Sequence, residues 1–174
     1  MHPLASFRYC PKCGSARFEE NNGKSKQCND CGFVYYFNSS AATAAFITTE
    51  EKKLLVVRRA KEPAKGTLDL PGGFVDRFET GEEAIIREVG EETGLIITNP
   101  RYLFSLPNIY AYSGFDVHTL DLFYECKIND WKHIRAADDA AEVYFLDKKE
   151  IDPNLFGLGS IRQAVRIWTE SYTG

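Results

Sequence analysis

The sequence predicts an α/β protein with a small metal-binding unit at its N-terminal end. Three patterns indicate this: paired cysteines within the first 31 residues, short apolar strands separated by polar turns, and two amphipathic helices. With 174 residues, the chain has room for one full domain and a small appendage. Hydrophobic residues make up 44% and charged residues 26%, which excludes an intrinsically disordered chain.

Charge and apolar patterning limit the partners and the compartment. The net charge is −4, so nucleic acid is not the expected partner. No apolar stretch approaches the roughly 18 residues of a membrane span, and the N-terminal residues lack the charged and apolar regions of a secretion signal. Cysteines without a secretion signal favour metal or thiol roles over disulfides. We therefore expect a cytoplasmic protein with no membrane partner.

Four of the five cysteines form two CxxC pairs, Cys10 with Cys13 and Cys28 with Cys31. Two such turns can bring four thiolates to one ion when the segment between them folds back as a hairpin. This predicts a zinc ribbon over residues 1–38, with rubredoxin-like iron as the remaining alternative. A site closed by four thiolates has no open position for water, so we expect it to stabilise the fold and not to catalyse.

The surface of this ribbon has two interpretations. Basic and aromatic side chains could form a nucleic-acid-binding face, because such faces combine charge with stacking platforms. The alternative is a set of ordinary solvated lysines. The residues concerned are Phe7, Tyr9, Lys12, Arg17, Phe18, Lys24 and Lys26.

Strand patterns follow the ribbon. AAFITT and LLVVRR predict two strands joined by a polar turn at 50–53, with the boundary to the ribbon near residues 38–40. Apolar residues alternate with mostly polar ones from Thr119 to Ile128, which predicts a half-buried strand. Cys126 belongs to its apolar set, so we interpret it as a core residue and not as a reactive thiol. EVYFL at 142–146 is a further short strand.

Two helices are predicted with their ends. In TGEEAIIREVGEETG, Thr80 and Glu83 have the spacing of a capping box, and Gly94 stands where a glycine ends a helix. Apolar residues recur with helical spacing from Ile161 to Trp168. They predict a closing amphipathic helix, for which Ser160 is the candidate N-cap.

The first of these helices carries an unfavourable set of carboxylates. Glu88, Glu91 and Glu92 share one arc of the helix, beside the buried arc. Like charges four residues apart destabilise a helix, and the macrodipole disfavours anions at its C-terminal end. The arrangement predicts a compensating ligand, and carboxylate oxygens are ligands of hard divalent cations such as Mg²⁺.

The segment GFVDRFETGEEAIIREVGEETGL has a Gly, five residues, a Glu, seven residues and then REUxEExGU, where U is aliphatic. It resembles the Nudix box of the Nudix hydrolase family, and the resemblance extends over about residues 40 to 170. Every fixed position of the box is filled. These positions are Gly73, Glu79, Arg87, Glu88, Val89, Glu91, Glu92, Gly94 and Leu95.

This resemblance implies a Nudix α/β/α sandwich with a mixed sheet over residues 39–174. It implies Mg²⁺- or Mn²⁺-dependent hydrolysis of the pyrophosphate bond in a nucleoside diphosphate linked to another moiety. Glu88, Glu91 and Glu92 would be catalytic metal ligands, with Glu88 also a candidate general base. The carbonyl of Gly72 or Gly73 could add a ligand. Glu79 and Arg87 would form an ion pair that fixes the box.

Further site residues are carried over from neighbouring segments. Family members often place a carboxylate before a late strand, and here Asp139 stands at that position, with Asp138 and Glu142 as neighbours. Arg58 and Arg59 end a strand that leads to the LPGG loop. They could contact substrate phosphate, and surface ion pairing is the alternative.

A zinc ribbon before a Nudix domain resembles the NADH pyrophosphatase branch, which favours NADH, ADP-ribose or a similar dinucleotide as substrate. In place of the SQPWPFP motif of that branch stands FSLPNIYAYSG, residues 104–114. Here Pro107, Tyr110 and Tyr112 could shape a base pocket by stacking, or pack as ordinary strand residues.

Two further possibilities concern function and assembly. The chain could be a binding module, in which the ribbon recognises nucleic acid or a protein and the Nudix domain senses a nucleotide without turnover. The intact glutamates favour the enzyme over this alternative. A homodimer is considered as a possible assembly.

Overall fold

The computed structural model describes residues 2–171, and the chain separates into two compact units, residues 1–39 and 40–174. Within the described part of the chain, no helix is long and apolar enough to cross a membrane.

The first unit is built on a three-stranded antiparallel sheet. Its strands are β1 (Phe18–Asn22), β2 (Ser25–Cys28) and β3 (Val34–Tyr36), paired in chain order. Each CxxC pair is followed by a glycine with positive φ, Gly14 at 76° and Gly32 at 72°. Their amides donate to the carbonyls of Cys10 and Cys28, which closes two equivalent tight turns.

The four cysteine sulfurs of this unit converge. Their Sγ atoms all lie within 4.8 Å of one another. Cys10 Sγ lies 3.7 Å from Cys31 Sγ, and Cys13 Sγ lies 3.6 Å from Cys28 Sγ. A tetrahedron with zinc–sulfur bonds of about 2.3 Å has edges of about 3.8 Å, so these distances fit a tetrahedral metal site.

Lys26 fits neither a nucleic-acid-binding face nor the alternative of ordinary solvated lysines. It is 8% exposed, its ammonium donates to the Phe7 carbonyl at 2.7 Å, and it lies 5.2 Å from the centre of the Phe18 ring. Phe18 itself is buried with the cysteines, and Arg17 pairs with Asp30. Of the residues considered for a basic and aromatic face, Lys26 and Phe18 are therefore part of the interior of the first unit.

The second unit combines a six-stranded mixed sheet with two α-helices. The sheet order is β6-β5-β4-β8-β7, and β9 also pairs with β5. Among the strand pairs of this sheet within residues 2–171, only β4–β8 is parallel. The elements are β4 (Ser40–Thr48), β5 (Leu54–Arg59), β6 (Leu68–Asp69), α1 (Gly81–Thr93), β7 (Arg101–Tyr112), β8 (Phe115–Lys127), β9 (Ala140–Leu146) and α2 (Gly159–Ser171).

The two helices cover opposite faces of this sheet. Phe46 of β4 stacks on Trp168 of α2, with ring centres 5.0 Å apart. Ile47, the next residue of β4, belongs to the cluster that contains Ile85 of α1. Successive strand residues point to opposite faces, so the unit is an α/β/α sandwich, which confirms the predicted fold class.

The helix ends agree with the sequence for α1 but not for α2. Thr80 and Glu83 form the reciprocal capping box, and Gly94 ends α1 in the left-handed conformation at φ 72°. Ser160 was expected to cap α2, and this prediction is wrong because the helix begins one residue earlier, at Gly159. The Ser160 hydroxyl instead donates to the Asp121 carboxylate.

Strand β8 is longer and more buried than the alternating pattern predicted. Asp121 and Glu125 are buried although they alternate with the apolar set, while Leu120 is 43% exposed. β8 lies between β4 and β7 with helical layers on both faces, so a half-buried strand was the wrong prediction. Cys126 is a core residue as expected, and burial raises the pKa of its thiol to about 12.

A loop replaces β5 as the partner of the first half of β4. β4 and β5 pair at Thr48 and Leu54, beside their turn. Farther along, the loop of residues 71–75 takes over: Thr43 N donates to Gly73 O at 2.8 Å, and Ala45 N donates to Pro71 O at 2.9 Å. This loop therefore lies beside the sheet in a fixed register.

Candidate active site

A cavity of about 590 Å³ opens where the 71–75 loop diverges from β5. Its volume is typical of a small-molecule site. Eight carboxylates line it, and Arg59 and Arg87 are its cationic residues. The predicted site residues among its lining are Arg59, Gly73, Arg87, Glu88, Glu91, Glu92, Tyr110 and Asp139.

Glu92 is the most deeply placed of the three glutamates. It is 6% exposed, and its Oε2 accepts from the Gly72 amide at 3.0 Å. Burial raises its pKa to about 8, despite the lowering effect of the Gly72 amide, and the charges of Asp69, Glu88 and Asp139 add to the rise. A nearby cation would stabilise the ionised form of this carboxyl group.

Glu88 lies directly against the backbone of the 71–75 loop. A Cβ added to Gly73 would lie 2.6 Å from one of its carboxylate oxygens, so no larger residue fits at this position without displacing Glu88. Burial raises the pKa of Glu88, and the charges of Glu91 and Asp138 contribute. The glycine thus brings a peptide backbone and a carboxylate into contact.

Arg87 joins the carboxylates of the predicted box. Its Nε and Nη2 bind both oxygens of Glu79, at 2.8 and 2.9 Å. Its Nη1 donates to Glu88 at 2.8 Å and to Glu91 at 3.1 Å, and Nη2 also donates to the Phe74 carbonyl. The hydrogen bonds from Arg87 lower the pKa of Glu79. This network connects the helix to the loop that faces it.

The glutamates can accept a divalent cation but do not form a closed cluster by themselves. Within residues 2–171, only the four cysteines bring three or more ligand atoms within 4.8 Å of one another. The carboxylates of Glu88 and Glu92 are nevertheless largely withdrawn from water, and Gly73 leaves space for Glu88 against the backbone. Hard carboxylate ligands in such surroundings fit Mg²⁺ or Mn²⁺.

Asp139 lines the same cavity from the segment that precedes β9. The Ala137 amide donates to the carbonyl of Glu92 at 3.0 Å, which holds the segment before β9 beside the helix end. Asp139 forms an ion pair with Lys61, and Asp138 also lines the cavity. Five regions of sequence therefore contribute carboxylates to one cavity: β6, Asp76 after the 71–75 loop, α1, β8 and this segment.

Of the two predicted arginines, one lines the cavity and the other does not. Arg59 lines the cavity, donating to Asp69 at 2.6 Å, to the Pro63 carbonyl at 2.7 Å and to the Tyr110 hydroxyl at 3.2 Å. Arg58 is not among the cavity residues, and its guanidinium binds Glu142 and the hydroxyl of Tyr144. Alternation along β5 explains the difference, since adjacent residues face opposite sides.

The sequence did not identify a second group of polar residues in the cavity. Asn108, Thr119 and Asp121 lie on β7 and β8, and Asp69 lies on β6. Burial raises the pKa of Asp69 even though Arg59 pairs with it. No local motif marks these residues, and only the pairing of distant strands brings them to the site.

Arg87→Lys is expected to weaken Mg²⁺ binding about tenfold, because an ammonium cannot bind Glu79 through two parallel bonds and also hold Glu88 and Glu91. Isothermal titration of the protein with Mg²⁺ would measure the dissociation constant. Arg101→Lys, which alters the pair between the exposed Arg101 and the buried Glu125 outside the cavity, serves as the matched control. Equal effects in the two variants would contradict this role of Arg87.

Comparison with known proteins agrees with this architecture. The NUDIX domain model matches residues 38–162, so the chain belongs to the NUDIX family. An NAD-capped RNA hydrolase NudC of Vibrio parahaemolyticus is 34% identical over 108 residues, which cover 61% of this chain and 40% of that protein. An ADP-ribose pyrophosphatase of Methanocaldococcus jannaschii is 38% identical over 113 residues, 64% of each protein.

A solved structure shows the same fold. The NUDIX hydrolase from Nitrosomonas europaea superposes with a TM-score of 0.75 at 22% identity, covering 95% of this chain and 92% of that one. The chain spans about two fifths of the length of the NudC relative and less than two thirds of the ADP-ribose pyrophosphatase.

Proposed function

We propose that the chain hydrolyses the pyrophosphate bond of a nucleoside diphosphate linked to another moiety, with Mg²⁺ or Mn²⁺ as cofactor. The observation that carries this proposal is the cavity itself, in which withdrawn carboxylates occur together with aromatic residues. NADH, ADP-ribose and similar dinucleotides are the favoured substrates. The names of the two relatives, an NAD-capped RNA hydrolase and an ADP-ribose pyrophosphatase, support this class.

Charge explains why a pyrophosphate and this cavity need cations between them. The cavity has eight carboxylates against two arginines, so a bare pyrophosphate would be repelled. Bound at Glu88, Glu91 and Glu92, divalent cations would neutralise the phosphoryl oxygens and activate water. The Gly73 carbonyl is proposed as an additional ligand. Simple phosphate monoesters lack the adjacent phosphoryl groups that such a site would bridge.

The protein side chains have distinct proposed roles. Glu88 is the candidate general base, since it is half-buried with a raised pKa and faces the cavity. Arg87 and Glu79 position the glutamates, and Asp139 adds a carboxylate from the facing segment. Arg59 has five N–H donors and uses three in the bonds described, so it can still contact a phosphate oxygen. Arg58 lies outside the cavity and is left out of the proposed site.

Hydrolysis in ¹⁸O-labelled water tests the reaction. We expect a nucleoside monophosphate among the products, with one ¹⁸O on a phosphorus of the former linkage and none on the sugar, because water attacks phosphorus in line. Mass spectrometry of the products from ADP-ribose and NADH would measure this. Orthophosphate from simple phosphate esters as the main product, or label on a ribose carbon, would overturn the proposal. Tight binding without turnover would support the nucleotide-sensing alternative.

We further propose that the first unit is a zinc ribbon that folds separately, over residues 1–38, and has no catalytic role. The four sulfurs have the spacing of a tetrahedral zinc site. All four thiolates would be ligands, which leaves no position for a reacting water. Metal analysis of the purified protein should find about one zinc per chain.

A further inference from the structure

One face of the β7–β8 ribbon presents a row of side chains to the cavity. Asn108 pairs with Thr119, and Tyr110 pairs with Val117, in the antiparallel register. Asp121 lies two residues beyond Thr119, so it is on the same face and is the diagonal neighbour of Asn108. All five residues line the cavity. The row therefore places an amide, a carboxylate and an aromatic ring beside one another.

The carboxylate of Asp121 is held in one orientation. Thr119 donates its hydroxyl to Oδ1, and Ser160 of α2 donates its hydroxyl to Oδ2. Asp121 is 6% exposed, and Ser160 stands in the first turn of α2, where the helix dipole favours an anion. Each carboxylate oxygen accepts more than one hydrogen bond, so Asp121 can also accept from a bound ligand.

Aromatic side chains border this row. Tyr110 meets Phe74 edge to face, with ring centres 5.7 Å apart, and its ring centre lies 6.3 Å from that of Tyr112. All three rings line the cavity. The Tyr110 hydroxyl accepts from Arg59, which restrains the ring. Such a wall suits a flat, aromatic part of a ligand.

We propose that Asn108 and Asp121 recognise the amino edge of a 6-aminopurine, with the purine ring against the wall formed by Phe74, Tyr110 and Tyr112. An asparagine amide can pair with an adenine edge through two hydrogen bonds, and an aspartate accepts from an exocyclic amine. The inference rests on the proposed function and deepens it, since it makes adenine the preferred base of the nucleoside diphosphate.

Binding of two nucleosides to metal-free protein tests this recognition. Adenosine and purine riboside differ only in the 6-amino group, and neither carries a phosphate that the carboxylates would repel. Wild-type protein is expected to bind adenosine about tenfold more tightly, which corresponds to one well-placed hydrogen-bonding group. Isothermal titration calorimetry in EDTA would give both dissociation constants.

Two variants test whether Asn108 and Asp121 cause the preference for adenosine. Asn108→Leu removes the amide at nearly constant size, and Asp121→Asn removes the charge. Each should reduce the preference for adenosine to less than about threefold. Asp116→Asn is the matched control, because Asp116 is exposed on the opposite face of β8 and should keep the tenfold preference. If Asp121→Asn does not fold, as judged by circular dichroism, Asn108→Leu decides the test.

Three results would overturn the inference: no measurable adenosine binding, equal affinity of the wild type for both nucleosides, or an undiminished preference in the folded variants. The measurement requires neither metal nor turnover. A protein that prefers adenosine but cleaves no pyrophosphate would refute the proposed function alone. A pyrophosphohydrolase without the preference would refute the purine recognition alone.

Discussion

Glu92→Gln is expected to lower kcat by at least about 100-fold while the protein stays folded. The substitution removes one negative charge from the proposed metal site, and loss of charge stabilisation in the transition state has effects of this size. The glutamine oxygen can still accept the hydrogen bond from the Gly72 amide, so the geometry of the loop should persist. Steady-state kinetics on the best substrate at saturating Mg²⁺ would measure the loss.

The same variant should be more stable than the wild type in metal-free buffer. The pKa of Glu92 is about 8 in the folded protein and near its ordinary value in the unfolded chain. Between about pH 5 and pH 8 the folded state therefore holds a proton that the unfolded state releases, and the free energy of unfolding falls as pH rises. Glutamine cannot ionise, so relative to the wild type the variant should gain up to about 4 kcal/mol near pH 8 and little below pH 5.

Melting temperatures in EDTA from pH 5 to pH 8 would test this pH dependence. Glu82→Gln is the matched control, because Glu82 is an exposed residue of α1 outside the cavity. It should keep wild-type activity and the wild-type pH profile of stability. Wild-type turnover by Glu92→Gln would show that this residue has been assigned wrongly to the metal site.

Cys10→Ser is expected to unfold the first unit and leave the second unit folded. The buried cluster of the first unit consists of Cys10, Phe18 and Cys28, with Cys31 and Phe33 packed against it. So small a core cannot maintain a fold without metal, because most of the folding free energy comes from metal binding. Zinc content should fall from about one per chain to near zero, and limited proteolysis should cleave within residues 1–37.

Cys126→Ser provides the control for this experiment. Cys126 is buried in the second unit, so its substitution should lower the melting temperature of that unit while zinc stays at about one per chain. If Cys10→Ser instead removed the tertiary structure of the whole chain, the two units would not fold separately and the proposed boundary would have to move.

Local patterns predicted the parts of the fold that local interactions determine. The α1 capping box at Thr80 and the helix end at Gly94 depend on residues only a few positions apart. For residues 104–114 the sequence left a strand open only as an alternative, and Pro107 lies in the middle of β7, where a proline is unusual. The structure accommodates Pro107 because β7 is an edge strand, where one side makes no ladder hydrogen bonds. Ser113 and Gly114, which form the hairpin turn, were the signal for this strand.

The same distinction between local and long-range interactions applies to the site residues. The glutamates of α1 belong to one contiguous motif, so the sequence predicted them as a group. Asp121 could not be predicted, because its position in the cavity follows from the pairing of β8 with β4 and β7 and from Ser160 of α2. The separation of Arg58 from Arg59 likewise depends on which face of β5 turns towards the cavity.

The pairing of the 71–75 loop with β4 makes the length of this loop as important as its composition. Three backbone hydrogen bonds fix it, from Thr43 to Gly73, from Ala45 to Pro71, and from Val75 to Ala41. Inserting or deleting one residue would shift this ladder and turn Gly73 away from Glu88. Evolution of a new substrate range could therefore vary the aromatic residues around the cavity, whereas an altered residue count in this loop would separate the backbone from its carboxylates.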